Sequence, residues 1–229
     1  HVDKYVNVDV ASRARAKVKR ESSIYTSREA KAELAGEEDE IEGGYTLEDA
    51  VKLTGKCYMD LGYADSARMQ FQLILDYFPD SDNLDDAQKL IADSYVKEGE
   101  LLRADADSTD TLAMRKSREF FQQAIGAYQT FVNIFPQSDI ISETYIAMAD
   151  VHYKLGEPQK AEEKFMLALE LAKETEDKAK VQLDIGSYYR RKGDYDQAIA
   201  SYKIILNNFL STEVASNAQY LLAQCHERK

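Results

Sequence analysis

Few residues in this chain carry the chemistry of a reaction centre. Its 229 residues hold three histidines, two cysteines and 41 acidic side chains. A metal site would group His or Cys at helical or turn spacing, and acid–base catalysis would pair a His or carboxyl with a partner of different pKa. His152 and His226 each stand alone. No H-E-x-x-H, phosphate loop, G-x-G-x-x-G or G-x-S-x-G occurs. Asp105, Asp107 and Ser108 lie close together but lack the glycine and final glutamate of a calcium loop. No cofactor, metal or catalytic residue is therefore assigned. The carboxylates read as solvated helix faces, with a catalytic pair among them left open.

Composition bounds the rest. The apolar fraction is 44% and the charged fraction 31%, with 3 Pro and 10 Gly, which fits a helix-rich globular chain and not a fibrous or disordered one. A net charge of −12 argues against nucleic acid as a partner. No apolar run approaches the ~18 residues of a membrane span. Two cysteines cannot build a disulfide scaffold.

The elements that position these residues repeat. One pattern is Gly55, Tyr58, Gly62, Ala67, Phe71, Ile74 and Pro79. It recurs as Gly186, Tyr189, Gly193, Ala198, Tyr202, Ile205 with Leu210, and as Ala149, His152, Gly156, Ala161, Phe165, Ala168 with Lys173. A split copy holds Ala92, Tyr95 and Gly99, then Ala124, Tyr128, Phe131 and Pro136. The leading small residues are Gly55, Ala92, Ala149, Gly186 and Ala223, at steps of 37, 57, 37 and 37. The long step carries an insertion of 20 residues between Gly99 and Ala124. Each copy reads as two antiparallel helices. Small residues let them approach, aromatics fill the groove beside them, and Gly62, Gly156 and Gly193 supply the positive-φ stop between them. Asp65, Glu157 and Asp194 sit at or near the start of the second helix, where a carboxylate suits the dipole. Phe78-Pro79 and Phe135-Pro136 end it. Thr46 with Asp49 predicts a capping box.

Two observations follow from the register. His152 and His226 occupy the slot held by Tyr58, Tyr95 and Tyr189, so both read as packing residues. Cys57 and Cys225 occupy equivalent sites about eight helices apart, beyond the ~7 Å reach of a disulfide.

This pattern resembles the tetratricopeptide repeat family over roughly residues 45–229. The resemblance implies an all-α, right-handed superhelical solenoid of antiparallel helix pairs with a concave groove. Its repeats would be 48–81, 85–138 with the insertion at 100–123, 142–175 and 179–212, followed by a final helix at 213–228. That last helix has no partner, so a longer array is expected. Residues 1–44 read as an N-terminal helical segment or a degenerate first repeat, with an acidic loop at Glu37–Glu42. The insertion predicts two lengthened helices joined by a polar loop. Both a contact surface and a tolerated insertion remain open for it.

In such an array the first helices line the groove. Positions −6, −3, +1, +4 and +5 from the small residue share that face. They are Asp49, Lys52, Lys56, Met59 and Asp60 and, in the next copy, Asp86, Lys89, Asp93, Val96 and Lys97. The following copies supply Glu143, Ile146, Asp150, Tyr153 and Lys154, then Lys180, Leu183, Ser187, Arg190 and Arg191. This mixed-charge stripe with apolar contacts suits an extended or helical peptide. The two-carboxylate clamp of chaperone-binding tetratricopeptide domains is not matched. Lys52 fits it, but Lys56, Leu90, Glu143 and Ala147 do not.

Linkers at Phe78-Pro79-Asp80-Ser81, Phe135-Pro136-Gln137-Ser138 and Asn208-Phe209-Leu210-Ser211 resemble those of the bacterial envelope subfamily. That subfamily includes the lipoprotein of the outer-membrane β-barrel assembly machine and the Tol–Pal coordinator. The resemblance implies a non-enzymatic scaffold for partner polypeptides in the periplasm or at the outer membrane, and an upstream lipid anchor is compatible with it. Two alternatives stay open. One is a segment of a larger cytosolic, secretion or motility scaffold that self-associates. The other is a helical-array enzyme, which would show a deep pocket with convergent carboxylates or histidines.

Overall fold

The computed structural model describes residues 46–105 and 111–229. Within them the chain is all-helical. The helices are α1 (Leu47–Asp60), α2 (Ala64–Tyr77), α3 (Leu84–Asp105), α4 (Thr111–Ile134), α5 (Ile141–Leu155), α6 (Pro158–Leu171), α7 (Thr175–Lys192), α8 (Tyr195–Asn208) and α9 (Ala215–Arg228). The N-terminal segment 1–44 and its acidic loop lie outside the described residues, as do Asp107 and Ser108. The chain divides into two compact units, His1–Phe131 and Val132–Lys229.

Helix ends follow the local chemistry. Thr46 caps α1 by accepting from the Asp49 amide, and the Asp49 carboxylate accepts from the Thr46 amide at 3.0 Å. Gly62, Gly156 and Gly193 have φ of 81°, 79° and 82°, so each turn between paired helices uses the left-handed region that glycine enters freely. Asp194 caps α8 through the Gln197 amide, and Pro158 opens α6 in its first turn.

The Phe-Pro linkers also resolve into hydrogen bonds. The Ser81 and Ser138 amides donate back to the carbonyls of Phe78 and Phe135, both at 3.1 Å. The two serine hydroxyls then accept from the amides of Asn83 and Ile140. In the third linker the equivalent donor is Thr212, which bonds the Phe209 carbonyl, so Thr212 rather than Ser211 holds the serine position.

In the first unit α1 packs on α2 and α2 on α3. Gly55 lies against the Phe71 ring, which is fully buried with Ala67. In α3 and α4 the same contact is made twice. The Tyr128 hydroxyl donates to Asp93, beside the buried Ala92, at 2.5 Å. Seven residues on in α3 and seven back in the antiparallel α4, Gly99 meets Phe121, whose ring would lie 2.7 Å from an added Cβ. The Ser117 hydroxyl donates to the Gly99 carbonyl at 2.7 Å. Seven residues is two helical turns, so the insertion lengthens both helices while keeping one pairing face. Gly99 holds the register of the stop glycines but lies inside α3, and the chain does not turn there.

In the second unit α5 pairs with α6 and α7 with α8, and α9 packs on α8. Ala149, Ala161, Phe165 and Tyr188 form one core cluster. A second joins Ala198, Tyr202, Ile205, Ala215, Ala218 and Cys225. Gly186 lies against Tyr202, with 2.5 Å between its would-be Cβ and the ring. Burial of each such ring contributes ~1.5–3 kcal/mol.

Candidate functional site

The first helix of each pair carries the residues read as the binding face. In the first unit most of their charges neutralise one another. Asp49 is committed to its cap. Lys52 donates to Asn83 at 2.8 Å and pairs with Asp86 at 2.5 Å. Lys89 pairs with Asp93 at 3.0 Å, and Asp93 also accepts from Tyr128. Met59 packs on the Ala67–Phe71–Ile91 cluster. Val96 and Lys97 are half-buried, and Lys56 is exposed.

In the second unit α5 and α7 lie side by side. Ile146 and Tyr153 pack on the Phe165–Tyr188 core, and Leu183 packs on the Tyr202 core. Tyr153 meets Tyr188 edge-on at 5.2 Å, and the Arg191 guanidinium stands 5.6 Å over its ring. Asp150 joins the two helices by pairing with Lys154 at 3.1 Å on its own helix and with Arg191 across to α7. Burial raises the Asp150 carboxyl, but Lys154 and Arg191 outweigh it and hold the group below the ordinary carboxylate value. Ser187 lies 3.4 Å from the Tyr202 hydroxyl. Arg190 acts on Tyr202 and Cys225, and its Nε is buried without a hydrogen-bond partner. Glu143 and Lys180 are exposed.

Sequence reasoning missed two residues of this face. Asp184 is half-buried on α7, and among the described residues its carboxylate makes no hydrogen bond or ion pair. Burial chiefly, then the Asp150 charge and more weakly that of Glu143, against Arg191, push it up to about 6. Its register position held the signal. Two residues before the small residue the other copies have Leu53, Leu90 and Ala147, and only this one has a carboxylate. The second is Tyr220 on α9, 63% exposed. Ile146, Leu183 and Tyr220 are spaced by 37 residues, so the repeat alone places them in one row.

The histidines divide. His152 is buried, and its Nδ1 lies 2.8 Å from Glu157 Oε2, tying the end of α5 to the start of α6. That hydrogen bond holds Glu157 below its ordinary value, against desolvation and with help from Lys160. His226 is exposed on α9 and is not a packing residue, because no helix covers that face among the described residues. Both thiols are free, Cys57 half-buried and Cys225 buried. No group of three or more His, Cys, Asp or Glu able to hold a metal occurs among the described residues.

These features define an all-α protein built of helix pairs whose first helices share a mixed apolar and charged face. Residues 140–211 match the family described as tetratricopeptide repeat. Two solved structures share the fold across most of the chain. A thermophilic TPR protein of Thermus thermophilus is 17% identical with a TM-score of 0.59, over 97% of this chain and 98% of its own. BtubC (BKLC) of P. vanneervenii is 16% identical with a TM-score of 0.62, over 98% of this chain and 84% of its own. At such identities the likeness is one of fold. No curated protein matches the chain. No helix among the described residues is long and apolar enough to cross a membrane.

Proposed function

We propose that the chain is a non-enzymatic scaffold that holds partner polypeptides on its first-helix faces. The observation that carries this reading is the face of α5 and α7. It lies within the segment that matches the tetratricopeptide family and sets half-buried Ile146, Tyr153 and Leu183 among Asp150, Lys154 and Arg191. Apolar groups of this kind desolvate a bound segment, and the flanking charges fix its register. A repeat array also offers several such faces in sequence, which suits extended or helical segments of a partner.

A photo-crosslinking amino acid placed singly at Lys180, Tyr220 or Met166 of the full chain tests this in cells that make the protein. Lys180 and Tyr220 lie on first-helix faces, whereas Met166 is 64% exposed on α6, a second helix. The expected result is defined polypeptide adducts at Lys180 and Tyr220 and few at Met166. Equal capture at Met166 would reject the face, and no adducts at any position would reject the scaffold.

The setting we propose is the bacterial envelope, on the strength of the Phe-Pro-x-Ser linkers and the 37-residue period. Adducts with outer-membrane barrel-assembly or Tol–Pal components are expected. Adducts with cytosolic proteins alone would replace this setting with a cytosolic scaffold.

A further inference from the structure

We infer that the second unit selects a peptide segment carrying a basic side chain among apolar ones. The basic group would seat on Asp184, and its apolar neighbours along the row Ile146, Leu183 and Tyr220. The inference rests on the scaffold reading above and names the chemistry of its ligand.

Two independent observations meet on this face. The first is electrostatic. Asp184 is the half-buried carboxylate of this face that no cation holds, since Asp150 is already paired with Lys154 and Arg191 and Glu143 is exposed to solvent. A desolvated carboxylate without a partner destabilises the fold, and a cationic donor arriving from outside would satisfy it. The charged groups facing it are Asp150 and Glu143 from α5 and Arg191 from α7 itself. The other packed helices direct their charges elsewhere. Glu162 of α6 pairs with Lys192 at 3.2 Å, and Asp196 of α8 pairs with Lys229. The charges nearest Asp184 are thus two carboxylates against one guanidinium, and that guanidinium is shared with Asp150. An incoming acidic group would meet like charge, which selects against it.

The second observation is apolar. Ile146 and Leu183 are half-buried against separate core clusters, and Tyr220 exposes 63% of its surface on α9, which also packs on α7. An exposed aromatic in line with apolar neighbours on adjacent helices is a surface for a side chain of the partner. Asp184 stands one helical step, ~100°, from Leu183, and the charges that act on it, Asp150, Arg191 and Glu143, belong to this same face.

The test uses a display library of random 12-residue peptides, selected at pH 7.5 on the full 229-residue chain and on Asp184→Asn. The expected pool from the parent protein is enriched in Arg or Lys next to apolar residues, and that enrichment disappears with Asp184→Asn. Individual peptides should bind Asp184→Asn about tenfold more weakly, as expected for loss of a charge-assisted hydrogen bond. Their affinity for the parent should also fall about tenfold between pH 7.5 and pH 5, where Asp184 takes up a proton, and stay flat for Asp184→Asn. Circular dichroism on both proteins separates loss of recognition from loss of fold. Basic enrichment that survives Asp184→Asn, or a parent pool without it, would overturn the inference and leave the scaffold reading standing. A library that yields no binder to either protein would overturn both.

Discussion

At the scale of single residues, Asp184 is the strongest departure from what a solvated helix face needs. Its pKa of about 6 stands above its ordinary 3.8. The native state therefore keeps the proton to higher pH than the unfolded chain does. Stability from this group is highest below the unfolded value, declines as pH rises from about 4 to about 6, and stays reduced above that. Asp184→Asn removes the ionisation. It should raise stability at pH 7.5 by up to about 3 kcal/mol and change little at pH 4, as read by thermal or urea unfolding at both pH values. Equal effects at the two pH values would place the gain in packing rather than charge. The thiols offer a second residue-scale expectation. Burial raises the Cys225 thiol, opposed by Arg190 and Arg228, and the group packs in the Tyr202 core. Cys57 is only half-buried. A maleimide should label Cys57 in the native protein and reach Cys225 only on unfolding, which mass spectrometry of the labelled peptides would show.

At the scale of helices, the close approach of each pair is set by a small residue under an aromatic ring. Glycine in a helix ordinarily costs ~1 kcal/mol relative to alanine, so Gly126, exposed and with nothing within 4 Å of an added Cβ, should gain roughly that amount as Gly126→Ala. Gly186→Ala should do the opposite. Its methyl group would enter the Tyr202 ring at 2.5 Å and force the pair apart, for a net loss of ~1–3 kcal/mol. Differential scanning calorimetry of the two variants decides this, and stabilisation by both would mean that the rings yield readily. These contacts were legible in the sequence because the repeat set Gly55, Gly186, Ala67 and Ala198 in register with their aromatics. The stops at Gly62, Gly156 and Gly193 were legible for the same reason, since a positive φ names its residue. What stayed hidden were departures from the register. The insertion predicted lengthened helices, but not that Phe121 and Ser117 on the lengthened α4 would engage Gly99 two turns beyond Ala92. The pairing of Arg191 with Asp150 was equally hidden, because it joins side chains 41 residues apart whose meeting depends on how α5 lies beside α7. Asp184 followed from neither residue type nor period alone, because a lone carboxylate on a charged helix looks solvated until its burial is known.

At the scale of the whole molecule, the division into two units makes a claim about cooperativity. The second unit, from Val132 to Lys229, holds the tetratricopeptide match, the three helices of the proposed peptide face and its own core. That core comprises three buried clusters, Ala149–Phe165–Tyr188, Ala168–Ala172–Val181 and Tyr202–Cys225, bridged by the half-buried Ile146, Ile185 and Tyr189. In a repeat protein each pair is stabilised chiefly by its neighbours, so a fragment that keeps its internal interfaces keeps most of its stability. Its helices also carry their own ends: a glycine stop after α5, a proline opening α6, a glycine stop after α7 and the Asp194 cap of α8. The fragment 132–229 should therefore fold when made alone, with strong helical circular dichroism and a single cooperative thermal transition. Gly186→Ala within it should lower the midpoint as in the full chain, because Tyr202, the ring it meets, lies inside the fragment. A broad, non-cooperative melt would instead mean that this unit depends on residues before Val132 for its order.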